Sequence, residues 1–199
     1  LNEKVNKAYT MIGKIKRNFK YLEKDAFINL YKAMVRSHLE YAVSVWSPRY
    51  KKDIEIVEKI QRRATKLVRE CKGKSYKDRL RYLNLPTLKY RRLRGVMLET
   101  YKILNDIYDN EAAPVLELSG TRMTRGNDKK LNKVMCKTDL RRHFFTQRVV
   151  DVWNSLPSEI INSASVNIFK NKLDKFWQTQ EIYFDYKADI AGTGSRSWI

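Results

Sequence analysis

A run of positively charged side chains between residues 59 and 69 carries the clearest chemical pattern in this sequence. Its members are Lys59, Arg62, Arg63, Lys66 and Arg69. At the three-and-four spacing of an α-helix they fall on one face, opposite an apolar face that includes Ile60 and Ala64. Segregated cations can each contact a backbone phosphate, so the run predicts a nucleic-acid-binding surface.

A second basic cluster follows at Arg91, Arg92 and Arg94, and we expect a second row of phosphate contacts if the two helices pack side by side. Residues 62–95 hold thirteen Lys or Arg against two acids. The plainer alternative is a solvated face that only keeps the protein soluble, but cations so seldom matched by acids favour binding. Phosphate contacts recognise charge and duplex shape rather than base sequence.

Three tyrosines, Tyr76, Tyr82 and Tyr90, are interleaved with these basic residues. They could stack on bases or sugars. Tyrosines at helical spacing are more often half-buried packing residues whose hydroxyls stay wet, and that is the interpretation we favour.

The sequence contains no residue pattern typical of a metal site or a catalytic site. Cys71, Cys136, His38 and His143 lack the close pairing that zinc sites use, so we expect buried thiols and no metal site. The chain has no Gly-rich phosphate loop and no serine in a nucleophile pattern. We therefore expect no catalytic residues in this segment.

Helices must position the basic residues, because the chain has only 7 Gly and 4 Pro and is rich in helix-forming residues. Apolar periodicity predicts a first helix with a stripe from Val5 to Leu22. Further helices are predicted at about 25–48, 52–70, 76–83, 87–109, 140–153 and from Ser165 onward. Ser165 is a suitable N-cap, and Trp46, Trp153 and Trp177 are expected to anchor cores. In the last two helices, Phe144 and Phe176 are among the side chains expected to be buried.

The predicted fold class is mostly α. A basic helical bundle is expected over residues 1–118, and a loop or linker at 119–138 contains a short extended piece at 131–136. A smaller helical subdomain at 139–178 and a flexible tail at 179–199 complete the predicted organisation.

The excess of basic residues indicates which classes of partner the protein could bind. Lys and Arg total 41 against 22 acids, which gives a net charge of +19. A polyanion would relieve this self-repulsion, so nucleic acid is the leading partner and an anionic membrane surface the second. No apolar run approaches the roughly 20 residues that span a bilayer. Two cysteines make no disulfide framework, and the missing initiator Met suggests a piece of a longer protein.

Several ordered blocks resemble the Jockey-like (LINE-type) non-LTR retrotransposon reverse transcriptases. They are RSHLEYA at 36–42, VWSP at 45–48, IVEKIQRRATK at 56–66, LNLPTLKYRR at 83–92, TRG at 124–126 and VWNSLP at 152–157. The resemblance covers about residues 4–177, and its ordered Trp, His and Pro positions make it more specific than a single motif.

This resemblance implies a helical thumb, residues that grip a template–primer duplex of RNA and DNA beside an upstream polymerase palm, and then a C-terminal extension. The parent enzyme would be an RNA-directed DNA polymerase of the nucleus and cytoplasm. Its two Mg²⁺ ions would be held by palm carboxylates, which are missing here. The segment at 183–186, YFDY, offers a single acid, Asp185, and we expect no catalytic role for it.

Two other hypotheses remain. The chain could be a non-enzymatic helical module whose basic face docks on an acidic protein or an anionic lipid surface. It could also be an inactive relic of a retrotransposon.

Overall fold

The computed structural model describes residues 1–109, 111, 113–120 and 129–192, and these are mostly α-helical. In chain order the α-helices are α1 (Asn2–Asn18), α2 (Lys24–Leu30), α3 (Ser37–Glu40), α4 (Val43–Trp46), α5 (Lys51–Ala64), α6 (Tyr76–Leu83), α7 (Leu88–Leu104), α8 (Asp139–Arg142), α9 (Phe145–Arg148), α10 (Val150–Asn154), α11 (Ser158–Ile161) and α12 (Val166–Trp177). The mostly α prediction is confirmed, and the short helix predicted at 76–83 is α6.

The described chain divides into two units, and the division falls inside α7. Unit 1 holds Leu1–Arg92 and Glu181–Asp189, and unit 2 holds Leu93–Gln180 with the chain from Ile190 on. The sequence predicts a linker at 119–138. Leu118 and Leu131 pair there in an isolated antiparallel bridge. Residues 121–128, which include the TRG block, lie outside the described residues.

The core of unit 1 forms where α1 packs against α3, α5 and the helical turn between α2 and α3. The apolar stripe of α1 is buried as its spacing predicts, at Val5, Ala8, Ile12 and Ile15. Phe19 was expected to continue the stripe, but it is 45% exposed because the helix has ended at Asn18.

The helix predicted over residues 25–48 is wrong in its second half. A π-helical stretch, Tyr31–Arg36, joins α2 to α3, and α3 ends at Glu40. Ala42 then adopts the left-handed conformation with φ of 53°, which no α-helix can contain. The indole N–H of Trp46 donates to the Tyr41 carbonyl at 2.7 Å, which stabilises this reversal.

Glu181–Asp189, which lies within the tail predicted from residue 179, belongs to unit 1. Ile182 is fully buried. The Thr87 amide donates to the Tyr183 carbonyl at 2.9 Å, and the Thr87 hydroxyl donates to the Ile182 carbonyl at 2.6 Å. These bonds tie the segment to the residues just before α7.

Unit 2 is built around stacked aromatic rings. Phe169 on α12 lies 4.4 Å from Tyr101 and 6.0 Å from Trp153, measured between ring centroids. Trp153 and Trp177 are buried, as predicted. The predicted N-cap of α12 is confirmed, since the Ser165 hydroxyl accepts from the Ile168 amide at 3.3 Å.

The helix predicted over residues 140–153 is broken into α8, α9 and α10. Phe144 has extended backbone angles and interrupts the helical hydrogen bonds. Its ring was expected to be buried but is 62% exposed. Phe176, also expected in the core, is 43% exposed.

Candidate nucleic-acid interface

Helix α5 carries the basic run predicted from the sequence. Its apolar side chains, among them Val57, Ile60 and Ala64, are buried in unit 1. The prediction extended this helix to residue 70, but α-geometry ends at Ala64 and a 3-10 turn follows at Thr65–Leu67. The Thr65 hydroxyl donates to the Arg62 carbonyl at 3.1 Å, a local bond that competes with helix propagation. The chain then extends to bury Val68.

Four cations remain exposed along the outer side of α5 and the following turn. We call them the α5 basic face: Lys52, Lys59, Arg63 and Lys66. Residues four apart on an α-helix lie about 6 Å apart, so Lys59 and Arg63 are close neighbours on α5. Lys66 follows in the 3-10 turn after the helix. Lys52 was missed in the prediction, although its spacing of seven residues from Lys59 identifies it.

Acids neutralise little of this face. Lys59 lies 3.9 Å from Glu55 with the side chains 54% and 46% exposed, and such a solvated pair is weak. The Arg63 guanidinium lies 5.6 Å from the centre of the Tyr9 ring, which positions it without removing its charge. Within the described residues, no carboxylate comes within 4.0 Å of the Lys66 ammonium.

Arg62 does not join this row, contrary to the prediction. Its guanidinium lies between two aromatic rings, 5.2 Å from Tyr76 and 5.3 Å from Tyr186, and donates to the Tyr186 hydroxyl at 2.7 Å. Its Nε is buried. Arg62 therefore joins α5 to the Glu181–Asp189 segment within unit 1, and its guanidinium contacts protein groups.

Arg69 is exposed, in a 3-10 turn at Arg69–Cys71 rather than on the predicted helix. Lys72 and Lys74 follow it and are also exposed. The Lys74 ammonium lies 4.2 Å from the centre of the Tyr82 ring. The positive surface thus continues past the end of α5 in a differently folded segment.

The predicted second row at Arg91, Arg92 and Arg94 is not a row of exposed cations. Arg91 makes a two-pronged ion pair with Glu40, and its Nη2 lies 2.9 Å from Oε2. Arg94, in unit 2, pairs in the same way with Asp174 at 2.8 Å. Arg92 is only 5% exposed, and burial lowers its pKa to about 10, so it stays cationic at neutral pH.

Glu58 organises the junction between α5 and α7. Its fully buried carboxylate accepts from the Leu88 amide at 3.1 Å and from the Tyr76 hydroxyl at 2.6 Å. A carboxylate beside the first turn of a helix accepts a hydrogen bond from an amide that has no partner within the helix. Its negative charge is also attracted to the positive end of the helix dipole. Burial raises the pKa of Glu58, and the nearby Arg92 charge opposes that change. The prediction missed Glu58 because its partner Leu88 is thirty residues away.

The three tyrosines pack against other protein groups, as predicted, but the hydroxyl of Tyr90 is buried and does not stay wet. Tyr90 is 2% exposed, and its ring centre lies 4.7 Å from that of Tyr183, so it is not available to stack on a base. Tyr76 and Tyr82 are half-buried. The Tyr82 ring lies beneath the ammonium groups of Lys24 and Lys74.

Among the described residues, no group of three or more His, Cys, Asp and Glu side chains could hold a metal ion. Cys71 is buried, whereas Cys136 is half-exposed and so is not the buried thiol expected. Asp185 accepts from the Lys187 amide at 2.9 Å, a local turn contact.

The chain was compared with protein-family models, with curated proteins and with solved structures, and nothing matches it. The described residues also contain no helix long and apolar enough to cross a membrane. What the fold and the surface define is a mostly α-helical protein with an exposed basic face on α5.

Proposed function

We propose that this chain is the nucleic-acid-binding C-terminal part of an RNA-directed DNA polymerase of a Jockey-like non-LTR retrotransposon. In this role, unit 1 acts as the thumb and binds the template–primer duplex through phosphate contacts. The observation that carries the proposal is the α5 basic face, in which the cations of Lys59, Arg63 and Lys66 are exposed and scarcely neutralised.

The position of this face within the resemblance supports the same function. The block IVEKIQRRATK, which is similar to the retrotransposon enzymes, spans residues 56–66 and contains these three cations. The same block provides the buried residues that fix α5 in unit 1, including Val57 and Ile60. One stretch of sequence therefore specifies both the packing and the charge.

Phosphate contacts suit a polymerase thumb because the enzyme must move over every sequence that it copies. Ammonium and guanidinium groups on a helix surface read charge and duplex shape, not base edges. Catalysis would belong to the palm of the same polypeptide, where carboxylates would hold Mg²⁺. The parent enzyme would work in the nucleus and cytoplasm, assembled with its RNA.

The test measures binding of the chain to RNA–DNA heteroduplexes of two unrelated sequences. The variant carries Lys59→Gln, Arg63→Gln and Lys66→Gln. A matched control removes three exposed cations from unit 2 through Arg141→Gln, Lys170→Gln and Lys175→Gln, so the net charge falls equally. Each lost phosphate contact should weaken binding by roughly an order of magnitude at 0.1 M salt.

We expect the α5 variant to lose affinity for both duplexes equally while the control stays close to the wild type, with unchanged helicity in both. Unequal losses would reveal base readout and contradict the proposed mode. If the wild-type chain binds anionic vesicles or an acidic protein more tightly than heteroduplex, the alternative of a basic interaction module replaces this function.

A further inference from the structure

Unit 2 contains a cleft that the proposed function does not use. Its volume is about 560 Å³, within the range of small-molecule sites. The cleft lies between the loop at residues 133–136 and the short helices α8, α9 and α10. The side chains that bear on the argument are Lys133, Met135, Cys136, Arg142, Arg148 and Asp151.

The charge of the lining is positive. The lining contains three basic residues, Lys133, Arg142 and Arg148, and one acid, Asp151, whose carboxylate lies 2.6 Å from the Lys133 ammonium. Arg142 is 68% exposed and lies 3.9 Å from Asp139, at the outer limit of an ion pair. Its guanidinium therefore remains available to a stronger anion, and Arg groups bind phosphate in a two-pronged manner.

The same lining is apolar on its loop side. Met135 is 94% exposed and Val134 is 40% exposed, so the loop presents uncovered apolar surface beside the cations. Methionine adapts its shape to flat polarizable rings and makes favourable sulfur–aromatic contacts. A ligand that fits both halves has an anionic end and a flat, largely apolar body.

We propose that this cleft binds a nucleotide, with its phosphate at Arg142 and its base against Met135 and Val134. A free nucleotide and a single-stranded segment of RNA or DNA share this chemistry, and the experiment distinguishes them. The site is independent of the α5 basic face and does not require that face to bind duplex.

Cys136 provides a local readout because its half-exposed thiol lines the cleft, whereas Cys71 is 2% exposed. The rate of Cys136 alkylation by iodoacetamide is measured on the full chain by mass spectrometry. Four additions are compared: buffer, inorganic phosphate, adenosine monophosphate and a short single-stranded oligouridylate. Cys71 serves as the internal standard for folding.

We expect the nucleotide or the oligonucleotide to slow Cys136 alkylation several-fold while Cys71 is unaffected. Stronger protection by the oligonucleotide assigns the site to single strands, and stronger protection by the monophosphate assigns it to free nucleotide. If inorganic phosphate protects Cys136 as well as the nucleotide does, the base makes no contact in the cleft and the proposal is overturned. No protection by any addition would overturn it as well.

The variant Arg142→Gln should weaken protection about tenfold, the usual worth of a charge-assisted hydrogen bond. Arg141→Gln is its matched control, on the same helix but outside the cleft lining. The Lys59→Gln, Arg63→Gln and Lys66→Gln variant separates the two proposals. Protection should survive in that variant even when duplex binding is lost, and loss of protection there would contradict an independent site.

Discussion

At the scale of single residues, the buried carboxylate of Glu58 decides how α5 and α7 are joined. It is the acceptor for a backbone amide of α7 and for the Tyr76 hydroxyl, and Arg92 lies near enough to interact with its charge. Buried groups of this kind are satisfied only while every partner is present.

Replacing Glu58 with Ala should therefore be strongly destabilising. Each buried donor left without an acceptor costs about 1–3 kcal/mol. Glu58→Gln should cost less, since the amide keeps one oxygen as an acceptor. Urea unfolding followed by circular dichroism gives both free energies. Glu55→Ala, on the exposed side of the same helix, is the control and should cost less than about 1 kcal/mol; equal losses at positions 55 and 58 would contradict the role given to Glu58.

The pH dependence of stability should report the same carboxyl group. Burial raises the pKa of Glu58 above its ordinary value of 4.5, so the folded state binds more protons than the unfolded state in that window. The favourable contribution of Glu58 to the free energy of unfolding is complete below pH 4.5. It is lost as the pH rises through the folded-state pKa of this group. Stability of the wild type relative to Glu58→Gln should accordingly fall between pH 4.5 and neutrality. A difference that rises over this window would mean that Arg92, and not burial, controls the group.

At the scale of elements, the reversal after α3 depends on the backbone of Ala42. A left-handed conformation costs an L-residue roughly 1–2 kcal/mol, and glycine does not pay this steric cost. We expect Ala42→Gly to raise the free energy of unfolding by up to about 1 kcal/mol. The gain is smaller than the steric cost because glycine also gives the unfolded chain more conformational entropy. The same substitution at Ala26, exposed within α2, should lower stability by about 1 kcal/mol. Thermal unfolding of the two variants compares them directly, and the same sign at both positions would contradict the assigned backbone.

Elements with local causes were the ones that could be predicted. Helix α6 and the Ser165 cap of α12 depend on residues within one or two turns, and both were predicted correctly. The breaks at Ala42 and Phe144 are changes of backbone angle, which apolar periodicity does not reveal, so periodicity alone continued the helices through them.

The candidate interface shows the same limit. Lys59 and Arg63 are exposed because the opposite face of α5 is apolar, and the sequence shows that face. Lys66 is exposed in the turn that follows. Arg91 and Arg94 are neutralised by ion pairs with Glu40 and Asp174, respectively. These acids lie 51 and 80 residues away in the chain. A count of basic residues cannot distinguish a cation that faces solvent from one that a distant acid has neutralised.

At the scale of the whole molecule, a net charge of +19 makes the folded chain repel itself. The ion pairs that use Glu40 and Asp174 relieve this repulsion, whereas the exposed cations of the α5 basic face add to it. A duplex bound to that face would offset the repulsion and release the counterions condensed on its phosphates. Binding should then depend strongly on salt.

The most direct test of the account is the slope of log affinity against log salt for an RNA–DNA heteroduplex. The slope is compared among the wild type, the Lys59→Gln, Arg63→Gln and Lys66→Gln variant, and the unit 2 control. Each phosphate contact that the α5 variant loses should make the slope shallower by about 0.9, with the control slope equal to that of the wild type. A slope that is flat in the wild type, or equal in both variants, would contradict phosphate binding by the α5 basic face.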